Sequence, residues 1–415
     1  MMSAPTPRGL TEIDPPQRLL MGPGPINAHP RVLRAMSAQL LGQFDPEFTD
    51  YMAETSALYR QVFQTQNRWT VLIDGSARAG IEAALVSVLE PGDRALVVSH
   101  GRFGGLLSEI AARCGAEVSI LSVPWGEVAD LEQIACAAEL HRPRVIACVH
   151  GDTSTTIAQP LDGVGEIARR TGALSFVDAT ATLGGFDVPV DRWGADIVSA
   201  GLQKCLGGPP GAAPLTISDR AAERIFSRRH VEAGLSQEAE RAGGTRIASN
   251  YFDLAMIMDY WSEKRLNHHT ESTTLLYGAR ECARLVLEEG LEARIIRHRV
   301  GGEAVRAGIL AMGLEVYGDP RFKMPHVTGV VIPEGVDGER VRTRMRTTFG
   351  IEIGSSFGPL HGKIWRIGSM GYNCTQPNIL ATLAALEAVL RNEGVHVRSG
   401  AAVDAAMAVF SGASS

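Results

Sequence analysis

The sequence of 415 residues predicts an α/β fold, in which a mostly parallel sheet flanked by helices is followed by a smaller α+β domain. Short apolar runs that end in Gly, Asp or Ser alternate with longer amphipathic stretches, which is the pattern of βαβ units. The clearest runs are 70–73, 94–98, 145–149, 174–177 and 196–200. Because parallel sheets bind ligands at the carboxyl ends of their strands, the polar residues that follow these runs are the first candidates for a functional site.

Composition divides the chain into four segments. Residues 1–20 are rich in proline, which lacks a backbone N–H, and are expected to form an extended arm. Residues 21–289 contain the alternating runs and form the predicted large domain. The long helical sequence that begins near residue 275 leads away from the sheet, and we place a smaller α+β domain at 290–395. Residues 396–415 are rich in Ala and Gly and are expected to fray.

Composition and charge exclude several classes of protein. A content of 45% hydrophobic and 21% charged residues indicates a compact globular protein. The net charge of -6 gives no indication of a basic surface that would bind nucleic acid or an anionic membrane. We find no signal peptide and no run of about 18 apolar residues. The six cysteines form no CxxC pair, which indicates reduced thiols in the cytoplasm, and we expect no metal site.

One of only four lysines is a strong candidate for a nucleophile. Such a lysine needs a partly desolvated position that lowers its pKa. Lys264 lies in a charged cluster and Lys323 in a polar loop, whereas Lys204 follows the apolar DIVSAGLQ and precedes the glycine-rich CLGGPPG. The sequence therefore favours Lys204 over Lys264, Lys323 and Lys363, although a surface lysine in a turn is the alternative.

An acidic residue precedes Lys204 at the end of another predicted strand. Asp178 closes the apolar run LSFVDA, 26 residues before Lys204. Taken alone, an Asp at a strand end more often caps a turn. Paired with a later strand-end lysine, it has the place of the carboxylate that binds the pyridine nitrogen of pyridoxal 5'-phosphate (PLP).

Two further segments fit the phosphate and the ring of that cofactor. Gly75, Ser76 and Ala77 join the strand TVLI to the helical run AGIEAALVSVL, where the backbone N–H groups of a helix N-terminus bind anions. Ser76 could also serve only as an N-cap. Phe103 lies between glycines in GRFGG and suits stacking on a flat ring, although a lone Phe more often belongs to the core.

An arginine in the predicted small domain is a candidate for substrate binding. Arg366 lies among apolar residues in IWRIG. A guanidinium in that setting needs a partner, and a bidentate substrate carboxylate is a good one. A structural salt bridge with an internal acid is the alternative.

Together these segments resemble class-V aminotransferases of PLP fold type I, over about residues 20–393. The resemblance is carried by LLMGPGPINAHPRVL, DGSARAGIEAAL, HGRFGG, HGDTSTTIAQPLDG, FVDATATLGG, SAGLQKCLGGPPG, HHT and WRIGSMG. It implies a seven-stranded sheet and a homodimer with shared active sites. It also implies Lys204 as the Schiff-base lysine, Asp178 on the pyridine nitrogen, Phe103 on the ring and Arg366 on the substrate carboxylate.

The resemblance assigns further residues to the site. It places Ser76, Ala77 and Gln203, beside Gly75, on the phosphate, and Thr153 near the hydroxyl side of the cofactor. Thr270 would reach the phosphate of a neighbouring subunit, and Gly24 would border the substrate.

Two departures from the alanine–glyoxylate members narrow the substrate. Those enzymes carry Trp where this chain has Phe103, and Tyr where it has Asn267 before HHT. Gln43, in LLGQFDPEF, adds a second carboxamide, and two carboxamides suit a substrate with a urea group because each donates and accepts. This combination resembles the (S)-ureidoglycine–glyoxylate branch of the family, while alanine or serine as donor and a purely local role for the amides remain open.

Two readings outside the family fit less well. A nicotinamide dehydrogenase would need GxGxxG after the first strand, which is missing. A regulatory protein that only binds the cofactor would be expected to lose the lysine or the aspartate, and both are present.

Overall fold

The computed structural model describes residues 9, 13–232, 235 and 245–413. The helices are α1 (Pro30–Met36), α2 (Pro46–Val62), α3 (Ala77–Val88), α4 (Arg102–Arg113), α5 (Leu131–His141), α6 (Val164–Thr171), α7 (Val190–Trp193), α8 (Asp219–Phe226), α9 (Leu254–Trp261), α10 (Thr273–Glu289), α11 (Leu291–Ala311), α12 (Gly338–Phe349), α13 (Gln376–Asn392) and α14 (Ala401–Ala413). The strands are β1 (Leu19–Leu20), β2 (Trp69–Gly75), β3 (Arg94–Ser99), β4 (Glu117–Ser122), β5 (Val145–Val149), β6 (Gly151–Asp152), β7 (Ile157–Ala158), β8 (Leu174–Asp178), β9 (Ile197–Ser199), β10 (Gly211–Ile217), β11 (Val327–Val331), β12 (Ile351–Glu352), β13 (Gly354–Ser355) and β14 (Ile364–Gly368).

Seven strands form the central sheet, in the order β2-β10-β9-β8-β5-β3-β4. The pairs β3–β4, β3–β5, β5–β8 and β8–β9 are parallel, and β10 runs antiparallel to both of its neighbours. The mostly parallel seven-stranded sheet predicted from the sequence is confirmed.

The strands are apolar because both faces of the sheet are covered. Along β3, Leu96 and Val98 pack into one hydrophobic cluster while Ala95 and Val97 pack into another. Successive side chains of a strand point to opposite faces, so each cluster lies on its own side of the sheet. This double burial explains why the predicted strands read as continuous apolar runs and not as alternating ones.

The strand register brings the predicted polar residues to one edge. Asp178, the last residue of β8, lies opposite Val149 of β5 and Ser199 of β9. Because β2 and β9 are both antiparallel to β10, β2 runs in the same direction as β9 and ends at the same edge, at Gly75.

The C-terminal part builds a second, antiparallel sheet in the order β11-β14-β13. In β14, Arg366 pairs with Gly329 of β11 and Gly354 of β13. The tail after residue 396 was expected to fray, but it forms α14, because Ala402 and Ala406 are buried in a cluster with residues of α11 and α13.

The predicted arm is only partly described. Residues 1–8 and 10–12 lie outside the described residues. Its end is anchored, because Leu19 and Leu20 pair in parallel with Ile351 and Glu352. All six cysteines are free. Across the described segments, no helix is both long and apolar enough to cross a membrane.

Candidate active site

A cavity of about 210 Å³ lies at the carboxyl edge of the central sheet. Seven residues predicted from the sequence line it, namely Ser76, Ala77, Phe103, Thr153, Asp178, Gln203 and Lys204. A larger open cleft of about 880 Å³ near α2 and α9 contains none of the predicted residues. The smaller cavity is the candidate site, because it combines the buried Asp178 with the candidate nucleophile.

Lys204 is held in an irregular turn at the base of this cavity. Within the π-type turn Leu202–Leu206, its backbone departs from helical geometry, with φ −117° and ψ −134°. Its Nζ donates a hydrogen bond to the Pro23 carbonyl. Burial, and then the nearby Arg366 guanidinium, lower its pKa to about 8. A lysine with a pKa this low offers the uncharged amine that nucleophilic and base chemistry require.

Gly24 fits against the Lys204 side chain. Its φ is +102°, and a Cβ there would lie 2.5 Å from Cδ and Nζ of Lys204. Glycine is therefore required both by the backbone conformation and by the close approach of the lysine. Gly24 therefore lies beside the candidate nucleophile, and its place at the border of the substrate stays a prediction.

Asp178 lies beneath the cavity and is 4% exposed. The Thr180 backbone N–H donates to its Oδ1 at 2.9 Å. Burial raises the pKa of the carboxyl, against the stabilising hydrogen bonds from Thr180. A buried carboxylate of this kind favours a cationic partner, which the protonated pyridine nitrogen of PLP would provide.

The N-terminus of α3 has the features of an anion-binding site. Ser76 is the N-cap, yet its side chain makes no capping hydrogen bond and is exposed to the cavity mouth. Gly75 has φ +126°, and a Cβ there would approach Ala79 to 2.6 Å. Gln203 lines the same cavity, and its buried Oε1 accepts no hydrogen bond from the residues that the structure describes. The free hydroxyl and the helix N–H groups can bind a phosphate.

Asp152, between the cavity-lining Gly151 and Thr153, supports the site and was not singled out by the sequence analysis. It is fully buried, and its Oδ2 accepts a hydrogen bond of 2.8 Å from the backbone N–H of Phe103. Its Oδ1 accepts from the Ser154 hydroxyl at 2.6 Å. Asp152 therefore fixes the first turn of α4 and the Phe103 ring above the cavity. Its position after the 145–149 run was the available signal.

Arg366 reaches the site from the second sheet. Its Nε donates to the Ser355 carbonyl at 2.6 Å and its Nη1 to the Thr153 carbonyl at 2.8 Å. Within the described ranges, no carboxylate forms an ion pair with it, so the structural salt bridge held as the alternative is not seen there. Burial lowers the pKa of the guanidinium to about 10. The Arg366 guanidinium also lies 5.0 Å from the Phe357 ring centroid.

The two predicted amides contact each other, although they are far apart in sequence. Gln43 Nε2 donates to Asn267 Oδ1 at 3.0 Å, and Oε1 of Gln43 is buried without a hydrogen-bond partner. Neither residue lines the cavity that contains Lys204 of the same chain, and neither does the exposed Thr270. The structure therefore divides the predicted residues into two groups within one chain.

Residues 28–364 match the class-V aminotransferase family. An (S)-ureidoglycine–glyoxylate transaminase of Bacillus subtilis (strain 168) is 53% identical over 408 residues, which cover 98% of each chain. An alanine–glyoxylate aminotransferase of Callithrix jacchus is 36% identical over 396 residues, which cover 94% of this chain and 92% of its own.

Solved structures give the same grouping. The ureidoglycine–glyoxylate aminotransferase from Bacillus subtilis has a TM-score of 0.92 and 51% identity, over 97% of this chain and 100% of its own. An alanine–glyoxylate aminotransferase from Nostoc sp. has a TM-score of 0.87 and 40% identity, over 92% of this chain and 97% of its own.

Proposed function

Because the chain belongs to the class-V aminotransferase family and has its fold, we propose that it transfers the amino group of (S)-ureidoglycine to glyoxylate. The products are oxalurate and glycine, as a step of purine breakdown. The observation that carries the proposal is the 53% identity to the Bacillus subtilis ureidoglycine–glyoxylate transaminase over nearly the whole chain. The proposal places the reaction in the cytoplasm, which the free cysteines support.

The residues of the cavity fit PLP. The N-terminus of α3 with Ser76 would hold the phosphate, aided by Gln203, and Asp178 would bind the pyridine nitrogen. Phe103 would stack on the ring and Thr153 would lie near its hydroxyl side. The unused Ser76 hydroxyl is a donor that the phosphate would satisfy, and Gln203 would donate to it through its Nε2 amide. When bound, PLP supplies the electron sink for the carbanion formed next to the amino group.

Lys204 is the group that holds the cofactor and moves the proton. Because burial lowers its pKa to about 8, about a tenth of the amine is uncharged at pH 7, and this form can accept a proton from the substrate α-carbon. Arg366 is the residue for the carboxylate that both ureidoglycine and glyoxylate carry. Its hydrogen bonds to the Ser355 and Thr153 carbonyls fix the guanidinium without neutralising its charge.

The Gln43–Asn267 pair is the proposed recognition site for urea. Their mutual hydrogen bond leaves the Gln43 carbonyl oxygen as an acceptor, and the Asn267 Nδ2 as a donor with no hydrogen bond to the residues that the structure describes. One acceptor beside one donor matches the N–H and C=O groups of a urea.

A homodimer with shared sites would bring this pair to the substrate. In one chain, Gln43 and Asn267 lie outside the cavity that contains Lys204. In the proposed dimer they serve the cavity of the partner subunit, as does Thr270 for the phosphate. A two-fold axis makes this exchange reciprocal.

A half-reaction tests the amino donor. PLP-loaded protein is mixed separately with freshly prepared (S)-ureidoglycine, L-alanine and L-serine, and the loss of the visible absorbance of the lysine-bound cofactor is followed. We expect the fastest loss with ureidoglycine. Equal or faster loss with alanine or serine would contradict the substrate but leave the aminotransferase intact.

Two variants sharpen that experiment. Asn267→Tyr should slow the ureidoglycine half-reaction by about tenfold or more, because an unpaired urea group costs about 1–3 kcal/mol, and should slow the alanine half-reaction less. Lys204→Ala should remove the visible band altogether. A normal band in Lys204→Ala would overturn the role of this lysine.

A further inference from the structure

Asp74, His269 and Glu271 form a second cluster of ionisable side chains, separate from the residues that line the cavity. Asp74 is the residue of β2 that precedes Gly75, whereas His269 and Glu271 lie between α9 and α10. One ligand atom from each side chain lies within 4.8 Å of the other two. The side chains of Asp74 and His269 are 11% and 12% exposed, and that of Glu271 is 1% exposed.

Within the described residues, each of the three side chains has one buried polar atom with no hydrogen-bond partner. Oδ1 of Asp74, Nε2 of His269 and Oε2 of Glu271 are all buried and unpaired. In the described part of the chain, no Lys or Arg forms an ion pair with either carboxylate. The buried Asp259, by contrast, is paired with Lys264 at 3.1 Å. Two buried carboxylates beside one imidazole need a positive charge to balance them.

The distances favour a metal ion over direct hydrogen bonds. Nε2 of His269 lies 3.5 Å from Oδ2 of Asp74 and 3.6 Å from Oε2 of Glu271. These separations exceed the usual hydrogen-bond range of about 2.7–3.2 Å. A tetrahedral Zn²⁺ with bonds of about 2.0–2.1 Å places its ligand atoms about 3.4 Å apart. The distances from His269 Nε2 to the two carboxylate oxygens therefore match the ligand–ligand distances of a tetrahedral Zn²⁺ site.

A contact at its other ring nitrogen fixes the orientation of the His269 imidazole. Nδ1 of His269 lies 2.8 Å from Nδ1 of His268, which directs Nε2 towards the two carboxylates. The backbone N–H of Ser272 donates to Oδ2 of Asp74 at 3.0 Å. Hydrogen bonds to the ligand side chains, here at the ring nitrogen opposite Nε2 and at Oδ2 of Asp74 itself, orient metal-binding side chains.

We propose that Asp74, His269 and Glu271 bind a Zn²⁺ ion, with a fourth position left for water. One imidazole with two carboxylates suits a borderline divalent metal such as Zn²⁺, whereas Mg²⁺ and Ca²⁺ favour oxygen ligands alone. The sequence analysis expected no metal, because these ligands follow no recognised spacing and Asp74 is far from the other two in the chain.

The ion would join two functional segments. Asp74 leads directly into Gly75 and Ser76 of the proposed phosphate site, and His269 follows Asn267 by two residues. A Zn²⁺ at this position ties the end of β2 to the segment before α10. Its role is therefore structural, and the inference does not depend on which amino donor the enzyme uses.

The test is a metal titration of the untagged, PLP-loaded protein after treatment with a chelator. Calorimetric titration with ZnCl₂ should give one bound Zn²⁺ per chain, confirmed by elemental analysis, and should raise Tm by at least about 2 °C. His269→Gln and Glu271→Gln should weaken binding by at least about tenfold. His396→Gln and Glu263→Gln are the matched controls, because both positions are exposed. These two variants should bind Zn²⁺ as tightly as the unaltered protein does.

Two outcomes would overturn the proposal. Cys136 is an exposed thiol that could itself bind Zn²⁺. The first outcome is therefore that the unaltered protein binds no Zn²⁺, or that Cys136→Ser abolishes all Zn²⁺ binding. The other is a His269→Gln protein that binds Zn²⁺ normally. Burial and the neighbouring Asp74 raise the pKa of the Glu271 carboxyl, so a proton shared by the two carboxylates would then take the place of the metal. If Glu271→Gln fails to fold, the Zn²⁺ titrations of the unaltered protein and of His269→Gln still test the proposal.

Discussion

At the residue scale, the pKa of Lys204 gives a direct pH prediction. Burial and the Arg366 guanidinium lower this pKa from 10.5 to about 8. In cofactor-free protein, the rate at which a small uncharged reagent modifies Lys204 should therefore rise with pH through a midpoint of about 8. Peptide mass spectrometry after short labelling at a series of pH values measures this rate.

The same shift has a consequence for stability. Because the folded-state pKa is below the unfolded value, the unfolded chain binds more protons between about pH 8 and 10.5. Lys204 thus makes the free energy of unfolding of the cofactor-free protein rise with pH across that window. Arg366→Gln should move the labelling midpoint to higher pH, and a midpoint near 10.5 in the unaltered protein would contradict the assignment.

Gly24 offers a test of the close approach to Lys204. Gly24→Ala places a Cβ 2.5 Å from the lysine Cδ and Nζ, at a backbone φ of +102°. The left-handed conformation alone costs about 1–2 kcal/mol for a residue with a Cβ. We expect a loss of stability of that size and weaker PLP binding, measured by chemical denaturation and by cofactor titration.

Gly42→Ala is the matched control for Gly24→Ala. Gly42 is exposed, and a Cβ there would meet no atom within 4 Å. It should leave both stability and PLP binding close to those of the unaltered protein. Equal effects of the two substitutions would show that the contact with Lys204 has no part in cofactor binding.

At the element scale, α3 carries the proposed phosphate site at one end and is capped by a buried arginine at the other. Nη1 of Arg228 donates to the carbonyls of Val86, Ser87 and Leu89 at 3.0, 3.0 and 2.7 Å. These carbonyls belong to the helix end, where intrahelical donors are lacking. Arg228→Met should therefore lower the free energy of unfolding by about 2–4 kcal/mol, measured by denaturant titration.

Arg113→Met is the control at the end of another helix. The Arg113 side chain is 78% exposed, and among the described residues it forms an ion pair with Glu109 alone. Exposed pairs of this kind contribute about 0.3–0.5 kcal/mol. A loss for Arg228→Met no larger than the loss for Arg113→Met would contradict the capping role of Arg228.

The elements that the sequence predicted best are those whose burial is uniform. The strands ending at Val149 and Asp178 are buried on both faces, so their apolar runs identified them without any tertiary information. Helix α14 was missed because its stability depends on Ala402 and Ala406 packing against distant helices, which leaves no local signal.

At the scale of the whole molecule, the candidate site was predictable where its residues end or closely follow strands of one sheet. Lys204, Asp178 and Phe103 meet for that reason, and the periodicity already indicated it. The bonding of Arg366 to backbone carbonyls could not be predicted, because it depends on how the second sheet packs on the first. The cluster of Asp74 with His269 was equally hidden, since long-range contacts of this kind have no sequence period.

The proposed sharing of sites between subunits predicts that two defective proteins restore each other. Lys204→Ala lacks the nucleophile, and a Gln43→Leu/Asn267→Leu double variant lacks the urea-binding pair, so each alone should be inactive towards ureidoglycine. In a mixture that exchanges subunits at random, half of the dimers are hybrids, and each hybrid has one intact site and one site with both defects. Activity should therefore recover to about a quarter of that of the unaltered protein.

Gel filtration with light scattering establishes the dimer, and mixing without subunit exchange is the control. Dimers that exchange subunits but recover no activity would place Gln43 and Asn267 in the same subunit's site as Lys204, because the hybrid then has one defect in each site.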